Sequence, residues 1–223
     1  MTSNTKQKPT LESTLKSMDT EEFIDIHFYR PIGYRWALFF NKFGISPNTV
    51  TIASIFIGAA AGVCFYPHNL TINIIGMLLL IWANSYDSAD GQLARMTGKK
   101  TPLGRILDGT AGDIWFISIY AAICARLTPQ WGIWIWIFAL ITGIFHSKQA
   151  AMADYYRNIH LLFLKGKAGS ELSHSPVLKE NYKKMSWKKD FIYKLFETFY
   201  INYTVGQERL TPKFQRMMQI IRQ

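Results

Sequence analysis

The sequence predicts an all-α integral membrane bundle, with four clear spans preceded by an interfacial amphipathic helix. Three observations carry this reading. Of 223 residues, 49% are hydrophobic and 15% aromatic, while only 18% are charged; soluble domains carry about 25% charged residues. The apolar residues cluster in runs near the ~20 residues needed to cross the hydrocarbon. The net charge of +10 flanks these runs, as expected for cytoplasmic loops facing anionic lipid. Nucleic-acid binding would instead need Lys and Arg along one face of a water-soluble fold, so no nucleic-acid partner is expected.

Residues 1–21 are polar and rich in Ser, Thr and Lys, a composition that predicts a disordered tail. Residues 22–46 mix Phe23, Ile26, Phe28, Trp36, Phe39 and Phe40 with Arg30, Arg35 and Lys42. This pattern predicts an amphipathic helix lying in the interface, with a break near Pro31 and Gly33. The first long apolar run begins only near residue 47, after a polar tail, so no cleavable signal peptide is expected.

The membrane core is predicted over residues 47–155. Its first span runs from about Pro47 to Tyr66, with Ser46 as N-cap and Pro47 at the first helical position. The second starts near Thr71, stays apolar to Trp82 and continues as a polar helix through Asp87, Asp90 and Arg95. The third runs from about Gly104 to Leu127, and the fourth from about Trp131 to Ala153. Cys64 and Cys124 sit inside apolar runs without metal-ligand spacing and read as small buried residues.

Arg95, Lys99, Lys100 and Arg105 lie between spans two and three, and 13 Lys and Arg follow from Arg157 onward, whereas the opposite loops carry only Arg126. Both termini and the 92–105 loop are therefore expected on the cytoplasmic side. Residues 156–223 read as a cytoplasmic, amphipathic C-terminal segment. In it Phe191, Leu195, Phe199 and Tyr203 recur at four-residue spacing, a helical stripe. Lys188, Lys189, Lys194 and Glu197 argue against a crossing there.

Asp87, Asp90, Asp108 and Asp113 lie near the shared cytoplasmic end of spans two and three. Asp87 and Asp90 are three residues apart and share a helix face. Carboxylates at membrane depth are costly and repel one another; hard divalent cations with oxygen ligands remove that cost. Gly91 and Ala94 take away side-chain bulk beside the carboxylates, which permits close approach of a ligand. Arg95, Lys99 and Lys100 bring positive charge to the same end, so the set suits a diphosphate. The structural alternative is that Asp87 and Asp90 cap or salt-bridge a helix end while Gly91 and Ala94 serve helix packing.

The segment Asp87-Ser-Ala-Asp90-Gly91-Gln-Leu-Ala94-Arg95, followed after eight residues by Gly104-Arg-Ile-Leu-Asp108, resembles the signature of the CDP-alcohol phosphotransferase (CDP-alcohol phosphatidyltransferase) family. That signature is D-x-x-D-G-x-x-A-R, about eight residues, then G-x-x-x-D-x-x-x-D. Seven fixed positions match over 22 residues. The Pro47-Asn48-x-x-Thr51 start of the first span and the amphipathic helix before it are also similar to the family. The last position departs: Gly112 stands where the fourth aspartate would fall, and Asp113 follows. In a regular α-helix, five residues place Asp113 about 140° from Asp108. Three readings stay open here. A one-residue π-bulge, eased by Gly109 and Gly112, would bring Asp113 back to the Asp108 face; Asp113 serves another role and a ligand is lost; or the site is degenerate.

The resemblance implies a transferase that moves a phosphoalcohol from a CDP-linked donor to a hydroxyl acceptor, releasing CMP, in phospholipid synthesis. It implies two divalent ions, Mg2+ or Mn2+, held by Asp87, Asp90, Asp108 and Asp113, with Asp113 as general base. Asp87, Asp90, Gly91, Ala94, Arg95 and Gly104 would meet metal or nucleotide, with Asn48 and Thr51 on the facing span. His146, Lys148 and Asp154 in span four are candidates for the acceptor head group; the alternative is that they meet the headgroup region as snorkelling residues. Thr101-Pro102-Leu103-Gly104 is similar to the choline/ethanolamine branch, without deciding donor or acceptor. The family typically has six spans and a homodimer is possible, so four spans suggest a chain shortened before two more. The rivals are a scaffold that keeps only the membrane fold and a cation channel, since intramembrane carboxylates also mark ion paths.

Overall fold

The computed structural model describes residues 10–14, 20–166 and 172–221. All regular structure among them is helical, as the composition predicts. A 3-10 turn at Glu12–Thr14 and a π-helical turn at Asp25–Tyr29 precede eight α-helices. These are α1 (Arg30–Lys42), α2 (Pro47–Val63), α3 (Leu70–Thr97), α4 (Pro102–Trp131), α5 (Trp134–Lys165), α6 (Ser175–Lys184), α7 (Phe191–Leu210) and α8 (Pro212–Ile221). The chain divides into two compact units, Met1–Gly143 and Ile144–Gln223.

Local chemistry sets the helix ends in the first unit. The Ser46 hydroxyl accepts from the Thr49 amide at 3.2 Å with Pro47 in the first turn, as its sequence position predicts. Asn69 caps α3 through the Ile72 amide at 3.1 Å, and Thr101 caps α4 through the Gly104 amide at 2.9 Å. Gly98, with φ +67°, closes α3 in the left-handed conformation that favours glycine.

Within this unit α2 packs against both α3 and α4, and α1 packs against α3. Close approach depends on small residues, as in membrane helix pairs. A Cβ at Gly58 would sit 2.2 Å from the Trp115 ring, and one at Gly62 would sit 2.3 Å from Ser118 Oγ. At the same contact, Trp115 Nε1 donates to the Ser54 carbonyl at 3.1 Å and Ser118 Oγ to the Ala59 carbonyl at 2.7 Å. Two apolar clusters form the core: Ala37, Phe40, Val50, Ala89 and Leu93 in one, and Ala83, Ala111 and Trp115 in the other. Ala83 and Leu93 bracket Asp87 and Asp90 along α3, so both carboxylates are anchored by packed neighbours.

Two helices, Leu70–Thr97 and Leu103–Trp131, are long and apolar enough to cross a membrane, and Pro47–Val63 is a shorter apolar helix. Only 17% and 22% of the two apolar windows are buried. A soluble core helix would hide such residues; here Ile74, Leu78 and Ile117 point outward, as lipid-facing side chains do.

The structure departs from the sequence expectations in several places. Residues 10–14, expected in a disordered tail, form a turn whose Thr14 is 1% exposed; residues 1–9 and 15–19 of that tail lie outside the described residues. The amphipathic helix does not break at Pro31 and Gly33. Winding changes from π to α at Arg30, and Pro31 falls in the first turn of α1, where a missing amide is tolerated. Gly33 is a contact point: a Cβ there would meet Ser88 Oγ at 2.7 Å. Of the three readings of the Asp108–Asp113 spacing, the π-bulge is not what the chain adopts, because α4 is α-helical throughout. With Gly109 and Gly112 in open space, no packing there forces an extra residue into the turn.

Candidate metal and nucleotide site

Asp87 and Asp90 on α3 and Asp108 on α4 converge, each offering a carboxylate oxygen within 4.8 Å of the others. Asp90 is 4% exposed, Asp87 is half-buried and Asp108 open. Thr51 on α2 is buried and its hydroxyl donates to Asp90 Oδ2; Thr51 Oγ1 also lies 3.2 Å from the Pro47 carbonyl. Three helices therefore build the cluster, and Thr51 fixes the rotamer of its most buried carboxylate.

This donor set fits a hard divalent cation. Three carboxylates this close in a low-dielectric setting repel strongly, and oxygen-only ligands suit Mg2+ or Mn2+. Asp113 is exposed and is not among the converging carboxylates, in keeping with the ~140° that a regular helix puts between it and Asp108.

Beside the cluster, Asn48, Thr101 and Gly104 come together. Thr101 Oγ1 lies 3.3 Å from Asn48 Oδ1, and a Cβ at Gly104 would meet that same oxygen at 2.7 Å. Glycine at 104 lets the start of α4 close on the start of α2. At Gly91 a Cβ would only touch the Arg95 guanidinium, at 3.4 Å, an ordinary van der Waals contact. Ala94 is half-buried on the same stretch of α3.

The other side of this stretch carries contacts that the sequence reading missed. Arg95 Nε donates to the Thr14 carbonyl. Gln92 is fully buried; its amide donates to the Arg30 carbonyl at 3.0 Å and reaches Ser88 Oγ at 3.4 Å. Its Oε1 accepts from the Thr14 hydroxyl at 3.3 Å. Arg30 in turn pairs with Glu21 at 2.8 Å and reaches Ser88 Oγ at 3.4 Å. Ser88, Gln92 and Arg95 recur at i, i+4 and i+7, so they line one helix face, about 105° around the axis from Asp87 and about 165° from Asp90. That spacing was the available signal: two polar stripes on one apolar span need two partners.

His146, Lys148 and Asp154 lie on α5 within the second unit. Asp154 accepts from Asn158 Nδ2, four residues on, at 3.1 Å.

The model of the CDP-alcohol phosphatidyltransferase family matches residues 44–160. The chain belongs to this family. The matched stretch holds α2, α3 and α4 with the whole carboxylate cluster. An uncharacterized protein of Aquifex aeolicus is 39% identical over 119 residues, which cover 52% of this chain and 59% of that protein. An archaetidylinositol phosphate synthase of Pyrococcus horikoshii is 33% identical over 90 residues, 40% of this chain and 46% of the synthase. The matches thus span about half the length of these relatives.

Proposed function

We propose that this protein is a membrane transferase that moves a phosphoalcohol from a CDP-linked donor to a hydroxyl acceptor, with release of CMP, in phospholipid synthesis. The convergence of Asp87, Asp90 and Asp108 at one end of two membrane-length helices is the observation that carries the reading. Family membership and the similarity to an archaetidylinositol phosphate synthase support it.

In this reading Asp87, Asp90 and Asp108 hold divalent metal, with Thr51 orienting Asp90. Bound there, the metal would neutralise charge on the donor diphosphate. Asn48 and Gly104 border the space for the nucleotide, and Gly91 and Ala94 keep the α3 side free of bulk. The acceptor oxygen bonds to the β-phosphorus, the bond from that phosphorus to the CMP oxygen breaks, and the acceptor proton passes to a base. We assign that base to Asp113, a role that needs reach to the acceptor hydroxyl rather than to the other three carboxylates. His146, Lys148 and Asp154 are assigned to the acceptor head group. Four spans, with termini and active site on the cytoplasmic side, complete the proposal; a homodimer is compatible with it.

The test is headgroup transfer by the full chain in lipid vesicles, offered CDP-linked amino alcohols with diacylglycerol, and CDP-diacylglycerol with polar alcohols or their phosphates. Equal formation of CMP and a new phospholipid from one pair establishes the reaction. CMP without a lipid product would indicate hydrolysis and overturn the transfer step. A second reading, a membrane scaffold without turnover, draws on the regular helix that leaves Asp113 out of the cluster; it predicts no CMP from any pair.

A further inference from the structure

Helix α7 is built inside out. Its apolar stripe Phe191, Leu195, Phe199 and Tyr203 is exposed, with Phe199 at 60%, whereas Lys194 at 8% and Glu197 at 6% are buried. The inward polar side is engaged within the second unit. Lys194 Nζ donates to the Met185 carbonyl at 2.9 Å and lies over the Tyr182 and Trp187 rings at 4.5 and 5.2 Å. Gln207 Nε2 donates to the Ala151 carbonyl at 2.7 Å, and Glu208 accepts the Ser175 amide at 3.0 Å. Of the four charges that argued against a crossing from sequence, Lys194 and Glu197 are therefore withdrawn into the unit, while Lys188 and Lys189 stay exposed before the helix, and the outward stripe of the helix is apolar.

The surroundings of that face are cationic. Lys179, Lys183 and Lys184 on α6, and Lys188 and Lys189 in the turn before α7, are all exposed, as are Arg209 and Lys213 at the far end. Exposed Trp187 lies among them. An apolar stripe bounded at both ends by cations and an aromatic fits a helix lying in the headgroup plane. A crossing helix would carry its basic residues preferentially on one side. Each lysine near an anionic surface strengthens binding several-fold, and the effect falls off within a Debye length.

We propose that the second unit docks on an anionic phospholipid surface, with the Phe191–Leu195–Phe199–Tyr203 stripe inserted at acyl depth and the α6 and α6–α7 lysines on the headgroups. The proposal stands independently of the transfer reaction, because its test reads position rather than turnover.

The experiment uses the full chain with Cys64→Ala and Cys124→Ala, spin-labelled at Leu195→Cys, Phe199→Cys or, as the water-exposed control, Glu180→Cys. It is reconstituted in nanodiscs of phosphatidylcholine alone or with phosphatidylglycerol. With phosphatidylglycerol, labels at 195 and 199 should be more accessible to oxygen than to a soluble nickel complex, and the label at 180 the reverse. Lys183→Gln/Lys184→Gln/Lys188→Gln/Lys189→Gln should reduce the lipid-inserted fraction at least several-fold. Nickel-accessible labels at 195 and 199 would overturn the proposal. So would equal insertion in phosphatidylcholine alone, or label–label broadening that shows a second copy covering the stripe.

Discussion

The Thr14 carbonyl accepts a hydrogen bond from Arg95 Nε across 81 residues of sequence. An N-terminal turn is thereby fastened to the helix that carries Asp87 and Asp90. Gln92 completes the fastening, since its buried amide bridges Thr14, Ser88 and the Arg30 carbonyl.

Replacing Gln92 with Leu keeps the volume and removes those bonds, leaving the Arg30 carbonyl without this donor. An unsatisfied buried polar group costs about 1–3 kcal/mol. Hydrogen exchange in residues 10–14 should accelerate about tenfold or more, the equivalent of ~1.4 kcal/mol. Unchanged exchange would show that the turn is held by something other than Gln92.

Thr51→Val removes the hydroxyl that orients Asp90 and preserves the side chain's shape. Loss of such an orienting partner typically weakens metal binding 10–100-fold. Mn2+ titration followed by electron paramagnetic resonance should show a loss of about tenfold, with thermal unfolding nearly unchanged. Equal affinity would separate Thr51 from the site.

Glycines should differ sharply in their tolerance of alanine. Gly58→Ala drives a Cβ into the Trp115 ring, 2.2 Å away, and overpacking of this kind costs about 1–3 kcal/mol. Gly109→Ala meets nothing within 4 Å and should be neutral or stabilising by up to ~1 kcal/mol through helix propensity. Thermal unfolding in detergent reads both; a destabilised Gly109→Ala would argue against a regular α4.

The helical class, the caps at Ser46 and Pro47 and the convergence of Asp87, Asp90 and Asp108 were legible in the sequence, because each depends on local period or spacing. Glycine was harder to read. Gly33 looks like a helix breaker yet serves contact with Ser88, and Gly109 and Gly112 invited a bulge that α4 does not form. The Thr14–Arg95 and Glu21–Arg30 pairs are long-range or lie in stretches whose composition signals a tail, so no periodicity announces them. The stripe on α7 was visible, but which side of it faces inward depends on the partners of Lys194 and Gln207, and these emerge only from packing.

The most direct test of the central claim is CMP release from CDP-linked donors by the purified protein in lipid, with and without Mg2+ or Mn2+, comparing the native chain with Asp108→Asn and Asp113→Asn. The account predicts metal-dependent release that Asp108→Asn abolishes together with Mn2+ binding, whereas Asp113→Asn loses release but still binds Mn2+. Release that persists in Asp108→Asn, or proceeds equally without metal, would contradict it.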